Sequence, residues 1–513
     1  MSQVENRSLI PSAKNPWVVL FAVSLAQLTS VMGVTFLFTG LPQIAIDLNT
    51  NLGDAQWIAI SYTLTMAATV PLWGRLSDLR ERKDLFLLGV LLYAGGGVLG
   101  SFAQTTEILI LARAIQGLGG ASTMANSLAI VTDVFPANDR GLAFGVLGVM
   151  ASGGGALGLV VGGVVISHVG WEATFQLIAG LGAFVFAIAA WGLPRGNMQK
   201  RNEPVDWLGA ALLATALGSA LLAVTRGQQW GWESGRVLGL FATGLTLGLL
   251  FLAVEQRSRF PLVNLSLFRS KAFTLGQLAG LFSLGAISTS DFLMPFFWQA
   301  ARGFSAQEAG LLMVPFSAGL FMSAPLSGRL MKNFAPRTLS AVGLIIVIAG
   351  ALAIAQVRLD MSLPNILWRP WLAGAGFGMF FAPNNAVVMS SASSWARGSA
   401  SGVLGMFRMV GVATGIAVSG VVLGTVVADN YDGLQSSLVT RQDFARAAND
   451  PQALAQLNAA FEDGFQMAFY ASIVFVLFGL LFTLLSPSQI QEAPEAVEEE
   501  ERLPAAAGRV QEA

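Results

Sequence analysis

The sequence predicts an all-α integral membrane fold of fourteen transmembrane helices, arranged as two pseudo-symmetric six-helix bundles plus two linker helices. Three observations predict it. The chain has 513 residues, 54% hydrophobic and only 12% charged, where soluble domains carry about 25% charged residues. Apolar runs of about 20 residues, enough to cross a bilayer as a helix, recur along its length. Two short phrases also occur twice. RGLAFGVLG at 140–148 returns as RGSASGVLG at 397–405, and PLWGRL at 71–76 returns as PLSGRL at 325–330.

The apolar runs fall at about 17–40, 56–76, 85–103, 106–131, 141–166, 172–193, 206–225, 236–254, 272–299, 306–328, 338–357, 367–392, 398–425 and 464–486. The first is too long for a cleaved signal peptide and lacks a cleavage site, so it counts as span 1. Orientation follows from Lys and Arg. With the N-terminus (1–16) in the cytoplasm, twenty of the 29 basic residues fall on the cytoplasmic side and seven outside, while Arg113 and Arg408 lie within spans. That asymmetry obeys the positive-inside rule. An even number of spans puts both termini in the cytoplasm, and a multi-pass protein of a bacterial inner (plasma) membrane is expected. The acidic tail, 487–513, with EEEE at 498–501, is expected to be disordered. The loop at 426–463 is expected outside, with a short amphipathic helix around Phe444–Phe461.

The repeats order the chain. Their offsets are 257 and 254, and Asp54 stands at the second offset from Glu308. Both repeats keep the same order, so residues 17–193 and 261–486 read as two related bundles in parallel orientation. A symmetry axis along the membrane normal is a known transporter plan. The segment 194–260 holds spans 7 and 8, beginning at VDWLG (205–209).

Composition excludes several functions. A net charge of −1 offers nothing to nucleic acid. With no cysteine and one histidine, His168, there is no disulfide, no expected metal site and no expected cofactor. No H-E-x-x-H motif supports an enzyme, and no filter-like ring supports a channel. The glycine runs at 95–97 and 374–378 follow no strand, so they are not phosphate loops and ATP drive is not expected.

Several stretches are similar to motifs of one family. GRLSDLRERK (74–83) is similar to its loop 2–3 motif, LARAIQGLGGA (111–121) to its span 4 motif, and GALGLVVGG (155–163) to its span 5 antiporter motif. WGLPRGN (191–197), the VDWLG segment and RGQQWGW (226–232) are similar to its linker helices. Over roughly 15–486 the chain resembles the major facilitator superfamily, in its fourteen-span drug/proton antiporter branch (QacA/EmrB type). Three positions depart from that pattern. Gly33 stands where span 1 usually carries Asp, Leu159 where the antiporter motif usually has Pro, and Glu81 where the loop motif usually has Gly.

The resemblance implies alternating access. Spans 1, 2, 4, 5 and 9, 10, 12, 13 would line a cavity, where Gln27, Phe36, Tyr62, Gln116, Asn126, Phe377, Phe380 and Met406 are candidate substrate contacts. In the loop motif it implies a conformational latch. There Gly74 would permit close approach and Asp78 would pair with a helix end, while Arg82 and Lys83 read as topology signals. Gly154, Gly158 and Gly162 share one helix face, echoed by Gly411, Gly415 and Ser419. Small residues at that period let helices touch, which fits either tight packing alone or a hinge between halves.

Ionisable groups inside a membrane are costly and therefore functional candidates. Asp291 is twenty residues past Lys271, in the outer part of span 9. It is a candidate for proton coupling or substrate charge, and Phe292, Phe296, Phe297 and Trp298 are candidates to stack on a flat lipophilic cation. An interfacial aspartate beside an aromatic belt is the plainer reading. By resemblance Arg113 has a role in span 1–span 4 contact and proton-linked switching, with satisfying backbone carbonyls of span 1 as the structural alternative. Arg408 lies eleven residues into span 13 opposite Ala151 in the repeat, and needs a wet cavity, a carboxylate or an anionic substrate. Asn384 and Asn385 follow Pro383 and are candidates to face a cavity.

The leading expectation is export of lipophilic, drug-like small molecules by alternating access, driven by protons. The alternative is a proton-independent, metabolite or siderophore exporter of anionic substrates, which Gly33, Leu159 and the two arginines favour. Expected partners are the small-molecule substrate, protons and the lipid bilayer. A periplasmic adaptor and outer-membrane channel join them if the cell is Gram-negative, and the transporter itself is expected to be a monomer.

Overall fold

In the computed structural model of the chain, residues 15–50, 52–135, 140–195, 204–391, 397–431 and 441–488 are described. Each element among them is helical, as lipid demands of any segment that must satisfy its own backbone hydrogen bonds. In order they are α1 (Pro16–Asp47), α2 (Leu52–Leu79), α3 (Arg82–Ser101), α4 (Thr106–Val134), α5 (Arg140–His168), α6 (Glu172–Gly192), α7 (Trp207–Trp230), α8 (Gly235–Arg257), α9 (Lys271–Phe296), α10 (Ala306–Leu330), α11 (Pro336–Ala355), α12 (Leu363–Ser390), α13 (Arg397–Asn430), α14 (Arg441–Ala447) and α15 (Pro451–Leu485). A 3₁₀ turn, Leu265–Arg269, precedes α9, and a π turn, Phe297–Ala301, continues it.

Side chains set where helices begin. Asn15, Thr105, Asp206, Ser234 and Ser270 each accept a hydrogen bond from the first turn of the helix they precede. Ser305 and Glu308 close a reciprocal capping box at α10. Pro295, near the end of α9, removes one amide donor, and the backbone widens into the π turn immediately after it.

Among the described residues, twelve helices are long and apolar enough to cross a membrane. The expected count was fourteen. The two others are α2, which carries Asp54, Gln56, Arg75 and Asp78, and α5, whose apolar described stretch is the shorter Gly153–His168. The expected loop at 426–463 is mostly helix instead. α13 runs to Asn430, α14 covers Arg441–Ala447 and α15 starts at Pro451. Phe444 packs edge-on to Phe461 at 5.8 Å, which seats α14 on α15. The tail 489–513 and residues 1–14 lie outside the described residues.

Helix α1 packs on α5 and α6, α4 on α2 and α3, and α3 on α6. The same pairings recur as α9 on α13 and α15, α12 on α10 and α11, and α11 on α15. Two groups of six helices thus share one plan of pairings. They meet along two seams, α2 against α13 and α5 against α10. Helices α7 and α8 pair with each other, and α7 touches both α2 and α13, so it straddles one seam. Its Arg226 forms an ion pair with Asp54 of α2, and Trp57 donates to Thr225 Oγ1 at 3.0 Å.

The helix ends carrying the Arg80–Lys83 turn are called here the basic end. Arg82 pairs with Asp133 at the end of α4, and Lys83 Nζ donates to the carbonyls of Ala190 and Leu193 at 2.8 and 2.7 Å. A cation on the last carbonyls of a helix satisfies groups that the helix itself cannot. Both residues therefore join α3 to α4 and α6, beyond the topology role expected of them. Gly74 has open space where a side chain would stand, so no close approach there requires glycine. The side chain of Asp78 lies outside the described residues.

Candidate transport site

The two groups are tied together toward the end opposite the basic one. The largest apolar cluster draws on both groups there, including Phe38 and Leu41 of α1, Ile58 of α2, Phe292 of α9, Ile416 of α13 and Phe465 of α15. Three polar ties accompany it. Gln56 Nε2 donates to the carbonyls of Ile416 and Ala417 at 3.1 and 3.2 Å. Gln299 Nε2, in the π turn, donates to Thr39 O at 2.8 Å. The backbone amide of Gln307 donates to Ser167 Oγ at 2.9 Å.

The seams follow the repeat register. At α5–α10, a Cβ on Gly310 would overlap the Leu159 carbonyl oxygen, and one on Gly163 would sit 2.8 Å from Gln307 Cα. Offsets of 254 and 257 map Gly310 onto Gln56 and Gly163 onto Gly420. At α2–α13 the space over Gly420 is filled by the Gln56 amide. One seam is thus glycine on glycine, and its twin is glutamine on glycine.

The other glycine face lies elsewhere. A Cβ on Gly154 would be 2.7 Å from Leu28 O, on Gly158 3.0 Å from Met32 Cα, and on Gly162 2.6 Å from the Phe36 ring. Gly411 and Gly415 meet the Leu281 and Gly285 carbonyls of α9 in the same way. These residues pack α1 on α5 and α9 on α13, inside each group. They are not the contact between groups, which corrects the hinge reading. The between-group contact is made one residue on, at Gly163.

Asp291 lies between the groups. It lines a cavity of about 140 Å³ with Thr35 and Phe38 of α1, Leu159 of α5, Ser290 and Met294 of α9, Leu312, Met313, Phe316 and Ser317 of α10, and Pro370 of α12. At 1.5 Å per residue it stands ~30 Å from the start of α9 and ~15 Å from the end of the π turn. Among the described residues it has no hydrogen-bond or ion-pair partner. That places its carboxylate on an internal cavity between the two groups. Its sequence neighbours point elsewhere: Phe292 is 0% exposed and tilts on Phe296 at 5.5 Å, while Phe297 and Trp298 are wholly buried. Successive helical residues are 100° apart, so those aromatics enter the apolar cluster, and Phe38 and Phe316 supply the rings at the carboxylate.

Arg113 is 1% exposed. Its Nη1 donates to Gln116 Oε1 at 2.8 Å and to Gly33 O at 3.4 Å, and the guanidinium lies 4.5 Å from the Tyr62 ring centroid. The Tyr93 hydroxyl occupies the place a Cβ on Gly33 would take, and donates toward the carbonyls of Thr29 and Ser30, 3.2 Å away. A tyrosine from α3 thus fills the room where a span 1 carboxylate would stand, and Arg113 takes the α1 backbone in its place.

Arg408 forms a hydrogen bond from Nη2 to Asn385 Oδ1 and lies 4.6 Å from the Phe381 ring centroid. Asn384, the adjacent residue, is turned away and donates to Gly276 O of α9 at 3.2 Å. Phe377 and Phe380 are core, in a cluster with Leu344 and Val347, and Met406 packs with Phe273 and Val403. Phe36 packs with Tyr62 and Met66. Asn126 is fully buried and donates to Ser122 O at 2.8 Å. Gln27 is half-buried. None of these lines the Asp291 cavity. Sequence reading passed over Thr35, Phe38, Phe316, Gln56, Tyr93 and Gln299. The Gln56–Gly310 register was available from the PLWGRL repeat.

The Major Facilitator Superfamily profile matches residues 23–416. Among curated proteins, Multidrug resistance protein 3 of Bacillus subtilis is 26% identical over 444 residues, covering 85% of this chain and 86% of that protein. Riboflavin transporter RibZ of Clostridioides difficile is 27% identical over 405 residues, covering 79% and 87%. Among solved structures, a bacterial homologue of the human lysosomal transporter Spinster, inward-facing and unoccupied, superposes with a TM-score of 0.62 at 18% identity, covering 92% of this chain and 96% of that one.

Proposed function

The chain belongs to the major facilitator superfamily and is a multi-pass membrane transporter of small molecules, and we propose that it exports lipophilic, drug-like compounds in exchange for protons. The observation that carries the proposal is Asp291, an unpartnered carboxylate in a cavity between the two helix groups. Relatives named Multidrug resistance protein 3, of Bacillus subtilis, and Tetracenomycin C resistance and export protein, of Streptomyces glaucescens, support the substrate class. On this reading the topology is the fourteen-span drug/proton antiporter arrangement, and the Lys/Arg bias supports a cytoplasmic basic end by the positive-inside rule.

On this reading the protein cycles between a state closed outside and one closed inside. The ties at Gln56, Gln299 and Gly310 hold the outer end shut. Asp291 takes a proton when its cavity opens outward and releases it inward. Each proton entering through 100 mV yields about 2.3 kcal/mol, and each unit of pH gradient adds about 1.4 kcal/mol. A neutral Asp291 and a charged one present different cavities to the substrate, which couples the two fluxes. Arg113, held by neutral groups alone, serves α1–α4 packing, so a single acid carries the coupling.

The test is reconstitution in vesicles under an imposed pH gradient, with cationic and anionic dyes. Dye movement that collapses with the gradient is expected, and Asp291→Asn should abolish the dependence on the gradient. Undiminished proton-linked transport by Asp291→Asn would exclude that residue. Failure of every gradient to move any dye would end the exporter reading.

A further inference from the structure

Two guanidiniums sit deep in helices with no carboxylate partner among the described residues. Arg113 is sealed, at 1% exposure. Arg408 remains partly exposed, although it stands ~16 Å into α13 from the basic end. Its direction is fixed by its neighbours three residues either side. A Cβ on Gly405 would lie 2.9 Å from Met124 Cε of α4 and 3.2 Å from Val70 Cγ1 of α2, while Gly411 abuts Leu281 of α9. Three residues turn a helix by about −60°. Arg408 therefore bisects these two faces and looks toward the space between the groups.

The guanidinium is underused. It has five N–H donors in a planar fork. Among the described residues the side chain's one hydrogen bond runs from Nη2 to Asn385 Oδ1, with the Phe381 ring flanking the group at 4.6 Å. Asn385 is neutral, so the charge is uncompensated. Burying such a charge costs several kcal/mol unless something offsets it. The repeat does not demand it either, because the corresponding residue of α5 is Ala151.

We propose that Arg408, Asn385 and Phe381 form a recognition site for an anionic group, a carboxylate or phenolate, carried on a planar aromatic substrate. This rests on the export reading and names the charge of the substrate. The free edge of the fork donates in bidentate fashion to both oxygens of a carboxylate, or with two N–H groups to the one oxygen of a phenolate, a geometry an ammonium cannot offer. Phe381 gives the attached ring an apolar surface. Arg408 is nearer the basic end than Asp291, at ~16 Å against ~30 Å of helix. A substrate entering from that end meets the cation first and the carboxylate last, so attraction on entry becomes repulsion on exit.

Fluorescein and rhodamine 6G share a xanthene ring and carry opposite charge at pH 7.4, so they isolate the charge. Binding is measured on the purified full chain by fluorescence anisotropy, and export from vesicles. Arg408→Gln should lower the ratio of fluorescein to rhodamine 6G affinity roughly ten-fold. Arg408→Lys, which keeps the charge and loses the fork, should fall between. Asn385→Asp, which sets a carboxylate against the guanidinium, should lower the ratio with Arg408 still in place. An unchanged ratio in both Arg408→Gln and Asn385→Asp, or a wild-type protein that does not bind fluorescein, overturns the proposal. If the ratio falls as expected and neither dye is exported, the site stands and the export reading fails.

Discussion

Replacing Gly310 by alanine should open the outer end of the transporter. The added Cβ would overlap the Leu159 carbonyl oxygen and come within 3.0 Å of its carbon and 3.6 Å of Gly163 Cα. All three are backbone atoms of α5, so no rotamer change relieves the clash and the two helices must separate. Overpacking of this kind costs about 1–3 kcal/mol. The cost is confined to the state in which α5 and α10 touch. At 1.4 kcal/mol per factor of ten, the equilibrium shifts toward the outward-open state by about 5- to 150-fold. The chain has no cysteine, so a single Thr35→Cys in the Asp291 cavity is a clean reporter for a membrane-impermeant maleimide added outside. Its labelling should accelerate by that factor in Gly310→Ala. Gly154→Ala is the control, because its Cβ would press on Leu28 O within one group and cost stability equally in both states. It should lower the melting temperature and leave labelling unchanged. If Gly310→Ala labels no faster than Gly154→Ala, the seam assignment is wrong.

The twin seam should respond more gently. Gln56→Ala removes two interhelical hydrogen bonds, worth about 0.6 kcal/mol each in membranes, so outside labelling at Thr35→Cys should rise about seven-fold and add to the effect of Gly310→Ala. At the Arg113 site, Gly33→Asp should destabilise the purified protein by about 1–3 kcal/mol because the Tyr93 hydroxyl holds that space. Adding Tyr93→Phe should recover part of the loss in a thermal melt, and a double mutant no more stable than Gly33→Asp would count against the account.

Twelve of the fourteen expected spans were legible because lipid imposes length on every helix, and the repeat stood out because both phrases recur nearly unchanged. Charge made Asp291, Arg113 and Arg408 legible, since each is expensive where it stands. What was not legible is the rotation of each helix about its axis. Lipid and protein interior are equally apolar, so no stripe of polarity marks the inner face. Phe36 and Phe38 look alike in sequence, yet Phe36 packs against Gly162 and Phe38 lines the cavity. Asp291 faces the cavity and Phe292, one residue on, does not. Gly162 packs within a group and Gly163 between groups, a difference of 100° that spacing alone does not resolve. The partners of Lys83 escaped for another reason. They are backbone carbonyls of Ala190 and Leu193, more than a hundred residues away.

The central claim is that two related six-helix groups rock as units about the space holding Asp291. Spin-label distances test it most directly, with one pair at Val169 and Glu308 across the α5–α10 seam and another at Arg80 and Lys332 across the basic end. A third pair, Phe102 and Val169, lies within one group. The account predicts that substrate and pH shift the first two distances in opposite directions and leave the third fixed. Seam distances that do not move, or that move together while the internal pair changes, would contradict it.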